Sequence, residues 1–284
     1  MKVLNFGSCN IDYVYQMEHF IRPGETAPCT ALSAGCGGKG LNQSIALAKA
    51  GTEVYHAGLY GAEGKFLLDK MQEAGVDTSL MRLGEGANGH AIIQVERSGQ
   101  NCIILYGGTN RQITQDYADE VLSHFAAGDV LVLQNEINMV GEIIRLSHEK
   151  GCRVVFNASP IPGKPEELPL ELVDIFMVNE LEAAALAGTS TEGDFRDILK
   201  ALQKKYPKAA IVMTLGKEGV FYGYKEEFYS HPIFKVNAVD TTAAGDTFCG
   251  YFLAALCAEK SVETALREAS AASAMAVSAK GAAP

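Results

Sequence analysis

The chain has 284 residues, with 24 Lys and Arg against 34 Asp and Glu, a formal net charge of −10. An acidic balance disfavours nucleic acid or an anionic membrane as the main partner, because both need a basic face. Apolar residues make up 48% and charged residues 20%, enough for a sizeable core. At about 150 residues per domain the length suggests two domains, although α/β folds run to ~250 residues as one unit.

Short apolar runs alternate with amphipathic stretches along the chain. Val3–Phe6 reads as a first buried strand, and residues 41–50 carry helix-spaced apolar side chains that stop at Gly51, a natural C′ glycine. Residues 54–59 form the next strand and 65–74 a helix ending at Gly75. Strand–helix pairs follow: 130–134 with 140–149, then 153–156, then 175–178 with 180–187. Residues 211–215 lead to a hairpin-like segment, 219–229, and two late helices at about 245–258 and 261–278. Strands separated by 10–15-residue helices predict a mainly parallel sheet with helices on both faces, a three-layer α/β/α sandwich. Two stretches, at about 12–33 and 89–106, instead alternate apolar and polar residues with no helical pattern. They predict a small discontinuous β-sheet lid, and the absence of any linker makes residues 1–284 a single domain.

Seven scattered cysteines, an odd number with no C-x-x-C pair, read as reduced thiols and a cytoplasmic location. The N-terminus meets Gly7, Asn10 and Asp12 too soon for a signal peptide, and no run approaches the roughly 20 apolar residues of a membrane helix. The six histidines lack H-E-x-x-H spacing.

Glycine is the compositional outlier, with 29 residues. One cluster, Gly35-Cys36-Gly37-Gly38-Lys39-Gly40-Leu41-Asn42-Gln43, formally contains G-x-G-x-x-G. The dinucleotide fingerprint also needs a buried strand before it and an acidic residue closing the next strand, whereas 54–59 here runs into Tyr60-Gly61. What remains is a glycine-rich approach to a helix start, with Lys39 and Asn42 able to grip a polyhydroxyl ligand, or a tight turn with a surface lysine. The second cluster runs Asp240-Thr241-Thr242-Ala243-Ala244-Gly245-Asp246-Thr247-Phe248. Small residues leave backbone N–H groups exposed where a helix begins, forming an anion hole. Asp246 in that first turn is either a helix-dipole partner or a general base beside transferring phosphate. These two readings stand level on the residues alone.

Together the clusters resemble the signatures of the ribokinase family of sugar kinases, the PfkB carbohydrate kinases. GGKGLNQ at residues 37–43 is similar to the N-terminal signature and DTTAAGDTF at 240–248 to the C-terminal one. Asn10-Ile11-Asp12, Gly75-Val76-Asp77-Thr78-Ser79, Asn179-Glu180-Leu181-Glu182 and Thr214-Leu215-Gly216 fall between or before them in family order.

The resemblance implies roles residue by residue. Asn10, Asp12, Gly38, Lys39, Asn42 and Glu136 match sugar contacts, and Asn179, Thr214, Gly216 and Gly245 match the nucleotide site. Glu182 matches a carboxylate that places Mg²⁺ through water, although it also falls where a capping-box acid would. Asp240 and Thr242 match side chains near a monovalent-cation site, expected to hold K⁺. Ala244 and Gly245 match the anion hole, and Asp246 the catalytic base. The implied activity is ATP-dependent phosphorylation of a primary hydroxyl on a small sugar, with D-ribose favoured over another pentose, a fructose-type sugar or a nucleoside. A homodimer through the β-lid is implied as well. His90, where the lid commonly carries a small hydroxyl residue, is expected to alter pocket size. The family usually continues past Pro284 through a loop and a helix, so a shortened chain is expected.

Overall fold

In the computed structural model, which describes residues 1–279, strands and helices alternate almost throughout. The expectations about the chain end at 280–284 lie outside the described residues. The first half comprises β1 (Val3–Phe6), β2 (Asn10–Gln16), β3 (Ala31–Gly37), α1 (Lys39–Lys49), β4 (Val54–Tyr60), α2 (Lys65–Glu73), β5 (Met81–Leu83), β6 (His90–Val95), β7 (Asn101–Tyr106) and α3 (Gln115–Ser123). Then come β8 (Val130–Gln134), α4 (Val140–Glu149), β9 (Arg153–Asn157), β10 (Ile175–Asn179), α5 (Glu180–Ala187) and α6 (Phe195–Lys205). The last elements are β11 (Ala210–Thr214), β12 (Val220–Tyr224), β13 (Glu227–His231), α7 (Ala244–Cys257) and α8 (Val262–Val277).

The large sheet has the order β13-β12-β11-β10-β9-β8-β1-β4-β5. It is parallel from β11 to β5 and ends in the antiparallel hairpin β12–β13. Its central strands are buried on both faces, which is why they read as unbroken apolar runs. Alternate side chains feed two cores. Leu4, Phe6, Leu131 and Leu133 pack against α3, α4, α5 and α6, whereas Val3, Val130 and Val132 pack against α1, α2, α7 and α8. This is the expected three-layer arrangement. Among the described residues no helix is long and apolar enough to cross a membrane.

A second sheet, order β3-β2-β6-β7, comes from the two stretches singled out by their period-2 pattern. Its first limb runs further than residue 33, because β3 continues through Gly37 with Asn10 opposite Gly37 and Asp12 opposite Gly35. Gly35 and Gly37 are therefore strand residues, not part of the approach to the helix. The register also corrects the expectation for His90. It pairs with Ile11 and packs on Tyr13 and Tyr106, so it faces away from Asp12, the next residue along β2.

Candidate active site

The carboxyl ends of the parallel strands and the starts of α1, α5 and α7 converge on one edge of the large sheet, the usual binding edge of an open α/β sheet. Gly40 makes this convergence possible. A Cβ there would lie 2.4 Å from the Ser8 backbone nitrogen, so α1 starts almost against the chain leaving β1. Gly37 plays the same part for Asp12.

Asp246 sits in the first turn of α7 and is buried. Its Oδ2 accepts from Asn42 Nδ2 at 3.1 Å and its Oδ1 from Gln43 Nε2 at 2.9 Å. Glu136, just beyond β8, accepts from the Ser8 hydroxyl and from the Lys39 backbone N–H at 2.9 Å. Burial raises the Glu136 carboxyl above its ordinary range, Asp246 adds to this, and Ser8 and Lys39 oppose it. Asp12 is pushed up to about 7, first by burial and then by the neighbouring carboxylates of Glu136 and Asp246. Burial would lower the Lys39 ammonium, but Asp246, Glu136 and Glu182 outweigh it and the net shift is upward. Asp12, Lys39, Asn42, Glu136 and Asp246 thus form one electrostatic unit, with Gly38 leading into it. Asn10 stands at the start of the same strand as Asp12, its Oδ1 taken by Asn110 Nδ2 at 2.7 Å.

Two clefts open beside this unit. One, of about 250 Å³, is lined by Lys39, Asn157, Asn179, Glu182, Gly245 and Asp246, among others. The other, of about 510 Å³ and mostly apolar, includes Thr214, Gly216, Phe234, Ala244, Gly245 and Ser270 in its wall. Thr214, Thr241, Ala244 and Gly245 belong to both, so the start of α7 separates a polar chamber from an apolar one.

Asn179 and Glu182 form a capping box. Asn179 Oδ1 accepts from Glu182 N and Glu182 Oε2 from Asn179 N, both at 2.9 Å. The helix-start role is realised, and the box also holds Glu182 in the polar cleft. At α7, Ala243 takes a left-handed conformation with φ 57°, and Ala244 N–H donates to Thr241 O at 3.3 Å. Ala244 was expected to offer that N–H to an anion, but the turn uses it. The N–H groups of Gly245 and Asp246 lie in the first turn, where a helix has no preceding carbonyl to receive them. Thr242 is exposed, and its N–H closes a turn on Asp240 Oδ1 at 2.9 Å. Thr241, between these two, is the member of the turn that lines both clefts.

Several residues join the site without having been singled out individually. Gln43 braces Asp246, Ser8 and Asn110 brace Glu136 and Asn10, and Asn157 carries a buried Oδ1 without a protein partner beside the polar cleft. A polar residue ending an otherwise apolar strand is the signal that marks Asn157 and Gln134 in the sequence.

The arrangement joins carboxyl groups, which when ionised accept hydrogen bonds and so orient hydroxyls, to a helix start suited to phosphate. The family model for "pfkB family carbohydrate kinase" matches residues 1–284. The chain is 35% identical to a ribokinase of Haemophilus influenzae over 283 residues, 97% of this chain and 92% of that one. Its fold is similar to that of Arabidopsis thaliana ribokinase complexed with ribose and ATP, with a TM-score of 0.85, 31% identity, and coverage of 99% of this chain and 93% of that one. Similar too is a Cryptococcus neoformans ribokinase in complex with ADP, with a TM-score of 0.86, 29% identity, and coverage of 99% and 94%. The chain belongs to the pfkB family of carbohydrate kinases.

Proposed function

We propose that the protein transfers the terminal phosphoryl group of ATP to the primary hydroxyl of D-ribose, giving ribose 5-phosphate and ADP. The observation that carries this reading is the position of Asp246: a buried carboxylate, held by two amides, at a helix start between a carboxylate-rich pocket and two clefts. The similar ribokinases complexed with ribose and ATP, or with ADP, support the substrate pair.

Asp12 and Glu136 accept hydrogen bonds from sugar hydroxyls, Asn42 offers its buried unpartnered Oδ1, and Asn10 completes the orienting set. The sugar's hydroxyl oxygen then attacks the γ-phosphorus as Asp246 takes its proton, and the bond from phosphorus to the ADP oxygen breaks. The N–H groups of Gly245 and Asp246, together with Lys39, stabilise charge on the transferred group. The adenine nucleotide lies along Thr214 and Gly216 in the apolar cleft. The small sheet covers the sugar and limits hydrolysis of ATP by water.

Among the described residues no three His, Cys, Asp or Glu side chains group as metal ligands. The single carboxylate of Glu182, the amides of Asn157 and Asn179 and a phosphate-sized chamber fit Mg²⁺ held largely by water and phosphate oxygens. Bound there, Mg²⁺ would neutralise charge on the phosphates. The Asp240–Thr242 turn supplies oxygen donors that suit K⁺, and its Asp240 N–H is anchored to Val277 O at 3.2 Å. Seven free cysteines support a cytoplasmic setting. Exposed Ile103, Ile104, Leu105 and Tyr106 on the edge strand β7 support pairing of two copies through the small sheet.

An ADP-release assay across pentoses, hexoses and nucleosides, with and without K⁺, tests the function. Ribose should give the highest kcat/KM, and Asp246→Asn should lower kcat by roughly 10²–10⁴-fold. Absence of sugar-stimulated ADP release throughout the panel would refute it.

A further inference from the structure

From Asp246 a chain of buried polar side chains runs inward to the middle of the large sheet. Gln43 Nε2 donates to Asp246 Oδ1, and Gln43 Oε1 accepts from Gln134 Nε2 at 2.7 Å. Gln134 Nε2 also donates to Asn5 Oδ1 at 2.9 Å. Asn5 Nδ2 donates to Gly40 O at 2.7 Å and to Ser44 Oγ at 2.8 Å, and Ser44 Oγ meets His56 Nδ1 at 2.7 Å. Asn5, Gln43, Ser44, His56 and Gln134 all lie at 0–1% exposure, so water cannot replace any lost partner.

The chain has a direction. Burial drives the His56 imidazole down to about 4, against a smaller opposing bond to the Gly7 backbone, so the ring is neutral. Asn5 Nδ2 donates to the Gly40 carbonyl, which can only accept, and this fixes the orientation of the Asn5 amide whichever way the proton lies between Ser44 and His56. Asn5 therefore turns its Oδ1 toward Gln134, and Gln134 donates to both Asn5 and Gln43. Gln43 must then point its oxygen inward and its N–H outward, at Asp246. A flipped Gln43 would set oxygen against carboxylate at one end and N–H against N–H at the other. Close packing limits escape, since a Cβ on Gly7 would lie 2.5 Å from Gln134 Oε1.

We propose that Gln134 is a positioning residue for the phosphoryl-transfer base: acting through Gln43, it holds an N–H donor on Asp246 Oδ1. This rests on the assignment of Asp246 as base. The charged and titratable groups around Asp246 are Asp12 from β2, Lys39 from α1, Glu136 beyond β8, Glu182 from α5 and Cys249 from α7. Substituting Gln134 leaves all of them unaltered in identity, so a change in the pH profile reports the lost donor.

The test compares kcat–pH profiles at saturating ribose and ATP, with thermal unfolding, for the native enzyme, Gln134→Leu, Gln43→Leu, the double variant and Asp246→Asn. Losing an N–H donor to a carboxylate raises its pKa. The acid limb of kcat in each single variant should therefore move up by about one pH unit, with ribose KM changed by less than about threefold. The double variant should match Gln43→Leu, because Gln134 acts through Gln43. An unmoved acid limb in Gln134→Leu, or shifts that add in the double variant, overturns the proposal. If Asp246→Asn is inactive while Gln134→Leu behaves as native, only the positioning role falls. If Asp246→Asn turns over normally, the base assignment falls and the proposal with it. Should Gln134→Leu fail to fold, Gln134→Met keeps the side-chain length without the donors and carries the same expectation.

Discussion

Gly37 lies directly beneath the Asp12 carboxylate: a methyl group at Gly37 would sit 2.1 Å from Asp12 Oδ1. The contact runs across the β2–β3 pair, two neighbouring strands of the small sheet. Gly37→Ala should therefore displace Asp12 while leaving Asp246 in place. The expected result is a ribose KM raised about tenfold or more, the equivalent of one lost charge-assisted hydrogen bond, with a smaller change in kcat. Steady-state kinetics with ribose and ATP varied separately checks it.

The raised carboxyl of Asp12 gives stability and binding opposite pH trends. Its ordinary value is 3.8 and its folded value about 7, so between these pH values the folded protein holds a proton that the unfolded chain has released. The stabilisation this provides is fully present below about 3.8 and is lost as pH rises to about 7. Glu136, also raised, acts in the same direction. On the sugar-orienting role proposed for Asp12, ribose affinity should instead tighten as pH rises toward 7, because only the ionised carboxylate can accept from a hydroxyl through both oxygens. Asp12→Asn should flatten this part of both profiles, read by thermal unfolding and by calorimetric titration of ribose.

Filling the apolar cleft should separate nucleotide from sugar. Ser270 lines that cleft, and Ser270→Trp would project a bulky indole from its wall. We expect the ATP KM to rise at least about tenfold and the ribose KM to stay within about threefold. An unchanged ATP KM would move the nucleotide elsewhere.

The outer strand β7 gives a separate expectation. Ile104 is 60% exposed on the edge of the small sheet. If two copies meet there, Ile104→Lys should place like charges in the contact and shift the chain from dimer to monomer in sedimentation experiments. Thermal stability of the variant should then stop rising with protein concentration.

Much of this architecture was legible because each layer leaves a periodic trace. The buried strands β8 and β10 stand out as apolar runs, and the strands of the small sheet betray their two-sided surroundings by alternation. Helices α3 and α6 lie where no element was assigned, although Thr114 and Asp194 cap them and Phe195, Ile198, Leu199 and Leu202 follow helical spacing. Their flanks are polar enough to pass for loop. The clustering of Asp12, Glu136 and Asp246 was accessible only through the family resemblance, since nothing local to residue 136 specifies what faces residue 12. Gln134 and Gln43 were less visible still: a buried amide shows its purpose only when both partners are in place.

Asn42 and Asp246 touch across 204 residues of sequence, and Gln43 and Asp246 across 203. During synthesis, α1 leaves the ribosome long before α7 exists, so the partly made chain carries Asn42 and Gln43 without the Asp246 carboxylate they hold. These contacts cannot form until α7 has been made, and non-local contacts of this kind form slowly. Phosphoryl transfer is thereby confined to chains that have already joined their two halves, so the chemistry itself reports completed assembly.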